Sequence, residues 1–285
     1  MAEIIDGKAI SLKVKEEVKE KVLSFKEKYK RDVTLAVVLV GEDPASKIYV
    51  ANKIKAAEFV GIKSLSFTLP TFSSQQNVET LVKSLVADKS VDGILVQLPL
   101  PKTLDSDKIL SLIPAEKDVD GFSAENTGNL ALFKDGTAPC TPAGIMRLIK
   151  STGVELIGKH AVIVGRSNIV GKPVALMLLK EDCTVTVCHS KTRNLKEITA
   201  QADILVSAIG KPKFITEDMV KENAIVVDVG INRTDKGLFG DVDFDAVKEK
   251  AAFITPVPGG VGPMTIAMLM SNAYFCALRR ELRGI

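Results

Sequence analysis

The sequence predicts an α/β protein of two α/β domains, the second a doubly wound parallel sheet, with a cleft between them. Three observations predict it. Apolar runs of strand length alternate with stretches of helical period along most of the chain. That rhythm breaks at residues 114–142, which are rich in Asp, Gly, Asn and Pro and read as an inter-domain segment. A length of 285 residues suits one large or two medium domains.

The elements follow in order. Residues 8–30 carry a helical period. Residues 34–40 (Thr-Leu-Ala-Val-Val-Leu-Val) form a buried-strand run closed by Gly41. Residues 46–60 are helical and Gly61 ends them. A strand at 64–69, a helix at 77–88 and a strand at 93–97 complete the first series. After the break, a helix at 143–152 leads into strands at 161–164, 184–188, 204–207, 225–229 and 253–254. The helix from 264 to about 283 is apolar nearly all round in its first half, so burial is expected. Arg279, Arg280 and Arg283 suit its negative C-terminal end. The domains are read as 1–122, joined by the helix 264–285, and 140–263.

Composition narrows the class. A net charge of +3 points to no nucleic-acid partner, and the dense run 13–31 mixes signs as a solvated helix face does. The four cysteines form no C-x-x-C pair and no leader precedes the first helix, so reduced thiols and a cytoplasmic location are expected. The two histidines make a histidine-rich metal site hard to build, and no metal is expected. No run looks long and charge-free enough to span a membrane.

The most informative stretch is Ala161-Val-Ile-Val-Gly-Arg-Ser-Asn-Ile-Val-Gly-Lys-Pro173. A strand, a small-residue turn and a helix place backbone N–H groups against a phosphate. The turn reads G-x-S-x-x-x-G through Gly165, Ser167 and Gly171, and alone it also fits an ordinary βα turn. The next strand ends without the Asp or Glu that holds an NAD ribose. His189, Ser190, Lys191, Thr192 and Arg193 stand there, with Arg166 in the first turn. Hydroxyls and guanidinium groups suit a 2′-phosphate, so the cofactor is read as NADP in a Rossmann-type domain. A solvated basic loop is the plainer alternative.

Other candidates are scattered. Tyr49 and Lys53 share a helix face beside a core stripe of Val50, Ile54 and Ala57, as a surface pair also could. Gln97 ends a buried strand, where open α/β sheets seat ligands or simply cap the strand. Asp118 and Asp120, if extended, point the same way. They suggest a metal site, acid–base work or, for one of them, paired hydrogen bonds to an amino-amide ring edge; further metal ligands are lacking. The glycines between Pro258 and Pro263 allow close approach to a ligand or a tight turn. Turns 208–212 and 228–232 are placed to line the nicotinamide half of the cleft, with Ile231 a cofactor contact.

Together and in this order, Ala45-Ser-Lys-Ile-Tyr49, Lys53-Ile-Lys55, Gly93-Ile-Leu-Val-Gln-Leu-Pro-Leu-Pro101, Lys117-Asp-Val-Asp-Gly-Phe122, Pro139-Cys-Thr-Pro142, the Gly165–Gly171 turn and Thr255–Thr265 resemble the bifunctional methylenetetrahydrofolate dehydrogenase/methenyltetrahydrofolate cyclohydrolase (FolD) family over nearly the whole chain. Ala273 departs from the threonine expected after the asparagine of the last helix. The resemblance implies NADP-dependent oxidation of 5,10-methylenetetrahydrofolate, then hydrolysis of the methenyl product to 10-formyltetrahydrofolate. It implies Lys53 as the central catalytic residue, Tyr49 stacking on the folate and helping to hold Lys53, Gln97 orienting Lys53, and Asp120 anchoring the pterin. Pro258, Gly259 and Gly262 would pack on the folate. A homodimer is implied, through an edge of the nucleotide domain. A dehydrogenase without the hydrolase, or a non-catalytic NADP sensor, would share the second domain but not the Tyr49–Lys53–Gln97 set.

Overall fold

The computed structural model describes residues 1–235 and 237–284. In chain order the elements are β1 (Glu3–Ile4), α1 (Gly7–Tyr29), β2 (Thr34–Val40), α2 (Pro44–Val60), β3 (Lys63–Leu69), α3 (Gln75–Ala87), β4 (Gly93–Val96), α4 (Ser106–Leu110), α5 (Ala124–Ala131), α6 (Cys140–Ser151), β5 (His160–Val164), α7 (Gly171–Lys180), β6 (Thr184–Cys188), α8 (Leu195–Thr199), β7 (Ile204–Ser207), β8 (Ile225–Asp228), β9 (Asn232–Thr234), β10 (Gly237–Phe239), α9 (Phe244–Val247), β11 (Phe253–Ile254) and α10 (Val261–Arg283). They form two compact units. The β2 unit comprises Leu12–Cys140 and the chain from Ile266 on; the β5 unit comprises Met1–Ser11 and Thr141–Thr265.

In the β2 unit the sheet order is β3-β2-β4, all parallel. Every residue of β2 is buried, as a strand covered by helices on both faces requires. The chain runs from β2 to β3 through α2, then crosses back through α3 to β4 on the other side of β2. The crevice beyond the C-terminal ends of β2 and β4 is therefore a topological switch point. Helix α2 starts where Asp43 accepts the Ser46 N–H at 2.7 Å and Pro44 supplies a first residue needing no N–H partner. The end of α3 is closed by a buried lysine. Lys117 Nζ donates to the carbonyls of Leu85, Val86 and Asp88, and its burial lowers its pKa.

Beside the start of β4, Asp92 is wholly buried. It accepts two bonds from Arg31 at 2.8 and 2.9 Å, one from Arg280 at 2.8 Å and one from the Thr34 N–H at 2.9 Å. Arg280, near the end of α10, also donates to the carbonyls of Val91 and Lys89. By length and composition α10 could cross a membrane, contrary to the sequence expectation, because it begins three residues earlier than predicted and so gains apolar length. Half of that apolar window is buried within the protein, and Met270, Ala273 and Ala277 are core residues.

In the β5 unit the order is β1-β11-β8-β7-β5-β6, all parallel. Strands β6 and β7 lie on opposite sides of β5, so the switch point falls at the C-terminal ends of β5 and β7. Val162, Leu205, Val226 and Ile254 form its core with Ala2. The first eleven residues, read from sequence as part of the first domain, belong here because β1 pairs with β11. A two-residue strand carries no period to reveal that partner. The segment 114–142, read as inter-domain, lies in the β2 unit up to Cys140 and contains α5. The antiparallel β9–β10 hairpin, with three residues per strand, is likewise too short to show in sequence.

Asp92→Ala would leave the Arg280 guanidinium buried without its counter-ion. A loss of about 3–5 kcal/mol in urea unfolding is expected; a loss below about 1 kcal/mol would show the cluster to be dispensable.

Candidate active site

The buried stripe of α2 runs Ser46, Val50, Lys53, Ala57, Val60, alternating steps of four and three. Lys53 therefore stands inside the stripe, not beside it, and is only 9% exposed; Ile54, expected in the stripe, is half-buried. A buried ammonium needs a partner. Lys53 Nζ donates to Gln97 Oε1 at 2.9 Å. Gln97 follows β4 directly, and its own N–H donates to Val38 O, continuing the ladder. Its Nε2 donates to Leu98 O at 2.5 Å, which turns the amide so that its oxygen faces the lysine. Tyr49 lies one turn before Lys53, with its ring exposed. Among the described residues no hydrogen bond joins Tyr49 to Lys53.

Asp118 and Asp120 do not lie in an extended run. Residues 115–120 form turns, with one parallel bridge from Asp118 to Ile94 of β4. That bridge sets the segment alongside β4. Asp118 is buried and fully used: it accepts from the Gly121 N–H, the Ser123 N–H and Asn126 Nδ2 at 2.7–3.0 Å. Asp120 is half-buried and, among the described residues, its carboxylate accepts no hydrogen bond. Burial pushes its pKa up to about 6, the Lys53 charge pulls it back and Asp118 adds to the rise. Around it, Asn272 Nδ2 donates to the carbonyls of Val119 and Ala138, and the Cys140 thiol donates to Val119 O. Burial, then Asp120, holds the Cys140 thiol protonated. Asn126 and Asn272 escape sequence reasoning. For Asn272 the signal is a polar amide within a helix stretch that is otherwise mostly small or apolar; Asn126 sits among Glu125, Thr127 and Asn129 and carries no such signal.

In the β5 unit, Gly165 ends β5 at φ +132, and a Cβ there would lie 2.4 Å from Ala208 O. Only glycine lets the turn pass this close to the end of β7. Ser167 Oγ accepts from the N–H groups of Val170 and Gly171 at 3.1 and 3.3 Å, closing the turn onto α7. Its own O–H remains free to donate. Arg166 is exposed. After the neighbouring β6, the His189 N–H donates to Thr192 Oγ1 and the Lys191 N–H to His189 Nδ1, while Ser190 and Arg193 stay exposed. No carboxylate stands at this strand end, so the donor set fits a nucleotide carrying a 2′-phosphate. Ile231, after β8, is exposed. In the loop before α10, Pro258 is exposed, Gly259 is buried and Gly260 packs tightly on Gly7 at the start of α1, while Gly262, in the first turn of α10, is half-buried. Among the described residues no cluster of acidic, histidine or cysteine side chains could hold a metal.

The raised pKa of Asp120 means that the folded chain binds its proton more tightly than the unfolded chain between about pH 4 and 6. Its contribution to stability is present below that window and lost as pH rises through it. Asp120→Asn should therefore melt a few degrees above wild type at pH 7, with the gap closing toward pH 4. Equal melting points at pH 7 would show the carboxylate to be unstrained.

The tetrahydrofolate dehydrogenase/cyclohydrolase catalytic-domain model matches residues 5–120, and the NAD(P)-binding-domain model of the same family matches residues 139–281. The bifunctional protein FolD of Agathobacter rectalis is 56% identical over 273 residues, covering 95% of this chain and 98% of that protein. The crystal structure of the bifunctional FolD enzyme from Campylobacter jejuni superposes with a TM-score of 0.95 at 51% identity, covering 98% of this chain and all of that one (100%). The FolD of Trypanosoma brucei, solved with NADP cofactor and an inhibitor, gives 0.93 at 38% identity over 99% of both chains. With both halves matched and relatives this similar over their full length, the chain belongs to the tetrahydrofolate dehydrogenase/cyclohydrolase (FolD) family.

Proposed function

We infer that this chain oxidises 5,10-methylenetetrahydrofolate to the methenyl cation with NADP and hydrolyses that cation to 10-formyltetrahydrofolate. The observation that carries the reading is a lysine at a buried helical position, held by a glutamine at a strand's C-terminal end and electrostatically coupled to an unpaired carboxylate. Bound NADP supplies the hydride acceptor. The oxidation asks no proton transfer of the protein, because the two nitrogens flanking the reacting carbon stabilise its charge; alignment suffices.

Hydrolysis needs proton handling. Water adds to the methenyl carbon and loses one proton to solvent; the hydroxyl left on that carbon then gives up its proton as the formyl C=O forms, and the bond to one ring nitrogen breaks as that nitrogen takes up a proton. Lys53 moves these protons, and Gln97 Oε1 fixes the direction of Nζ. Asp120 binds the pterin: ionised, its two oxygens accept from the 2-amino group and the adjacent ring N–H. Tyr49 offers its exposed ring for stacking. Gly165, Arg166, Ser167 and Gly171 receive the pyrophosphate, and Ser190 and Arg193 the 2′-phosphate. A dehydrogenase lacking the hydrolase would leave the Lys53–Gln97 pair without a task.

The protein is further proposed to work in the cytoplasm as a homodimer, without nucleic-acid or membrane partners. The edge strand β6, which leaves Val187 exposed and one side of its backbone unpaired, supports dimerisation at that edge. Light scattering should give twice the chain mass of 30.6 kDa; a monomer in solution would remove the proposal.

The test of activity is absorbance at wavelengths separating NADPH from the methenyl compound. Wild type should form NADPH without accumulating methenyltetrahydrofolate. Lys53→Met should lower the hydrolysis rate about 100-fold or more while oxidation falls far less. Parallel loss of both rates, with folate binding intact, would remove Lys53 from the hydrolytic role.

A further inference from the structure

We propose that Asp241 is a positioning residue for the cofactor seat of the β5 unit, holding the loops that follow β7 and β8 in their binding-competent form. Asp241 lies just past the β9–β10 hairpin and is wholly buried. Its Oδ2 accepts from the Ile209 N–H at 2.8 Å, the Gly210 N–H at 3.2 Å and Ser207 Oγ at 3.3 Å. Its Oδ1 accepts from the Lys211 N–H at 2.9 Å and Asn232 Nδ2 at 3.0 Å. Three successive N–H groups converging on one anion make the kind of nest that elsewhere binds phosphate. Here the chain fills the nest with its own carboxylate, so it serves to shape the loop.

The shape reaches the glycine turn. Loop 209–211 continues from Ala208, whose carbonyl abuts Gly165 so closely that no Cβ fits between them. On the other side, Asn232 ties in the segment that carries the exposed Ile231. A Cβ on Gly230 would lie 2.2 Å from Asp241 Oδ1, so only glycine passes the carboxylate there. The Asp241 N–H in turn donates to Asp228 Oδ1, which also accepts from Gly230. One carboxylate thus sets both loops at the strand ends where this fold seats a dinucleotide.

The proposal rests on the NADP reading above, and its test separates the two. NADP affinity is measured directly by titration calorimetry, alongside melting temperature and hydrolysis of preformed methenyltetrahydrofolate, a reaction without NADP. Asp241→Asn places an amide among N–H donors, and if it cuts the competent loop population to about a tenth, the NADP Kd rises about tenfold. Hydrolysis should stay at the wild-type rate. Asn232→Ala, which removes one donor and spares the backbone nest, should weaken NADP binding in the same direction by less, even if Asp241→Asn fails to fold. Wild-type NADP affinity in the folded Asp241→Asn protein, or in Asn232→Ala where the first variant does not fold, overturns the proposal, as does parallel loss of hydrolysis and NADP binding. Wild-type protein that binds no NADP overturns the cofactor reading and the proposal with it.

Discussion

Backbone N–H groups in the loops beyond parallel strands have no ladder partner, and burying them unpaired is costly. This chain meets that constraint with buried aspartates. Asp118 accepts from Gly121 and Ser123, Asp228 from Gly230, Asp241 and Val242, and Asp241 from Ile209, Gly210 and Lys211. Each carboxylate gathers donors from a loop that would otherwise be free to move, at the edge of the sheet where ligands are seated. Burying these charges is tolerable because charge-assisted bonds from several N–H groups replace the lost water.

The same accounting separates structure from chemistry. Lys117 and Lys53 are both buried lysines, yet Lys117 spends its ammonium on three helix-end carbonyls, while among the described residues Lys53 makes one bond, to Gln97. Asp118 is saturated with donors; Asp120, two residues on, has none among the described residues. Ser167 accepts twice and keeps its proton to give. The groups with unspent hydrogen-bonding capacity are the ones the reaction can use, and they stand still because the spent groups beside them hold the backbone.

How much of this is legible in sequence depends on the range of the interaction. Strands β2 and β7 fall at the residues the apolar runs predict, because a strand buried on both faces must be apolar throughout; the edge strand β6 also falls where predicted, its alternating Thr and Val giving a β-branched run. The turn from Gly165 to Gly171 is legible because a close approach permits few residue types. Lys53 is legible as a candidate but misplaced: a lysine in a 4-3-4-3 stripe reads as lying beside the core until Gln97, from a distant strand, supplies its partner. Asp241 is not legible at all. Three of its donors are backbone N–H groups some thirty residues earlier, which no side-chain pattern encodes. The pairing of β1 with β11 fails to show for the same reason.

Function and stability draw on Asp120 with opposite sign. Burial raises its pKa to about 6, as it does that of Asp228. Ionisation of either group at neutral pH therefore costs the fold part of its stability. For Asp228 three backbone N–H groups oppose that cost in the folded protein. For Asp120 only the Lys53 charge does so, at a distance. On the proposed role of Asp120, a ligand that brings two N–H donors to its oxygens would relieve the remaining strain, and part of the cost the free protein carries would return as affinity for the pterin edge. A neutral side chain would remove the cost and, with it, the site's reason to prefer a donor–donor edge over any other flat ring.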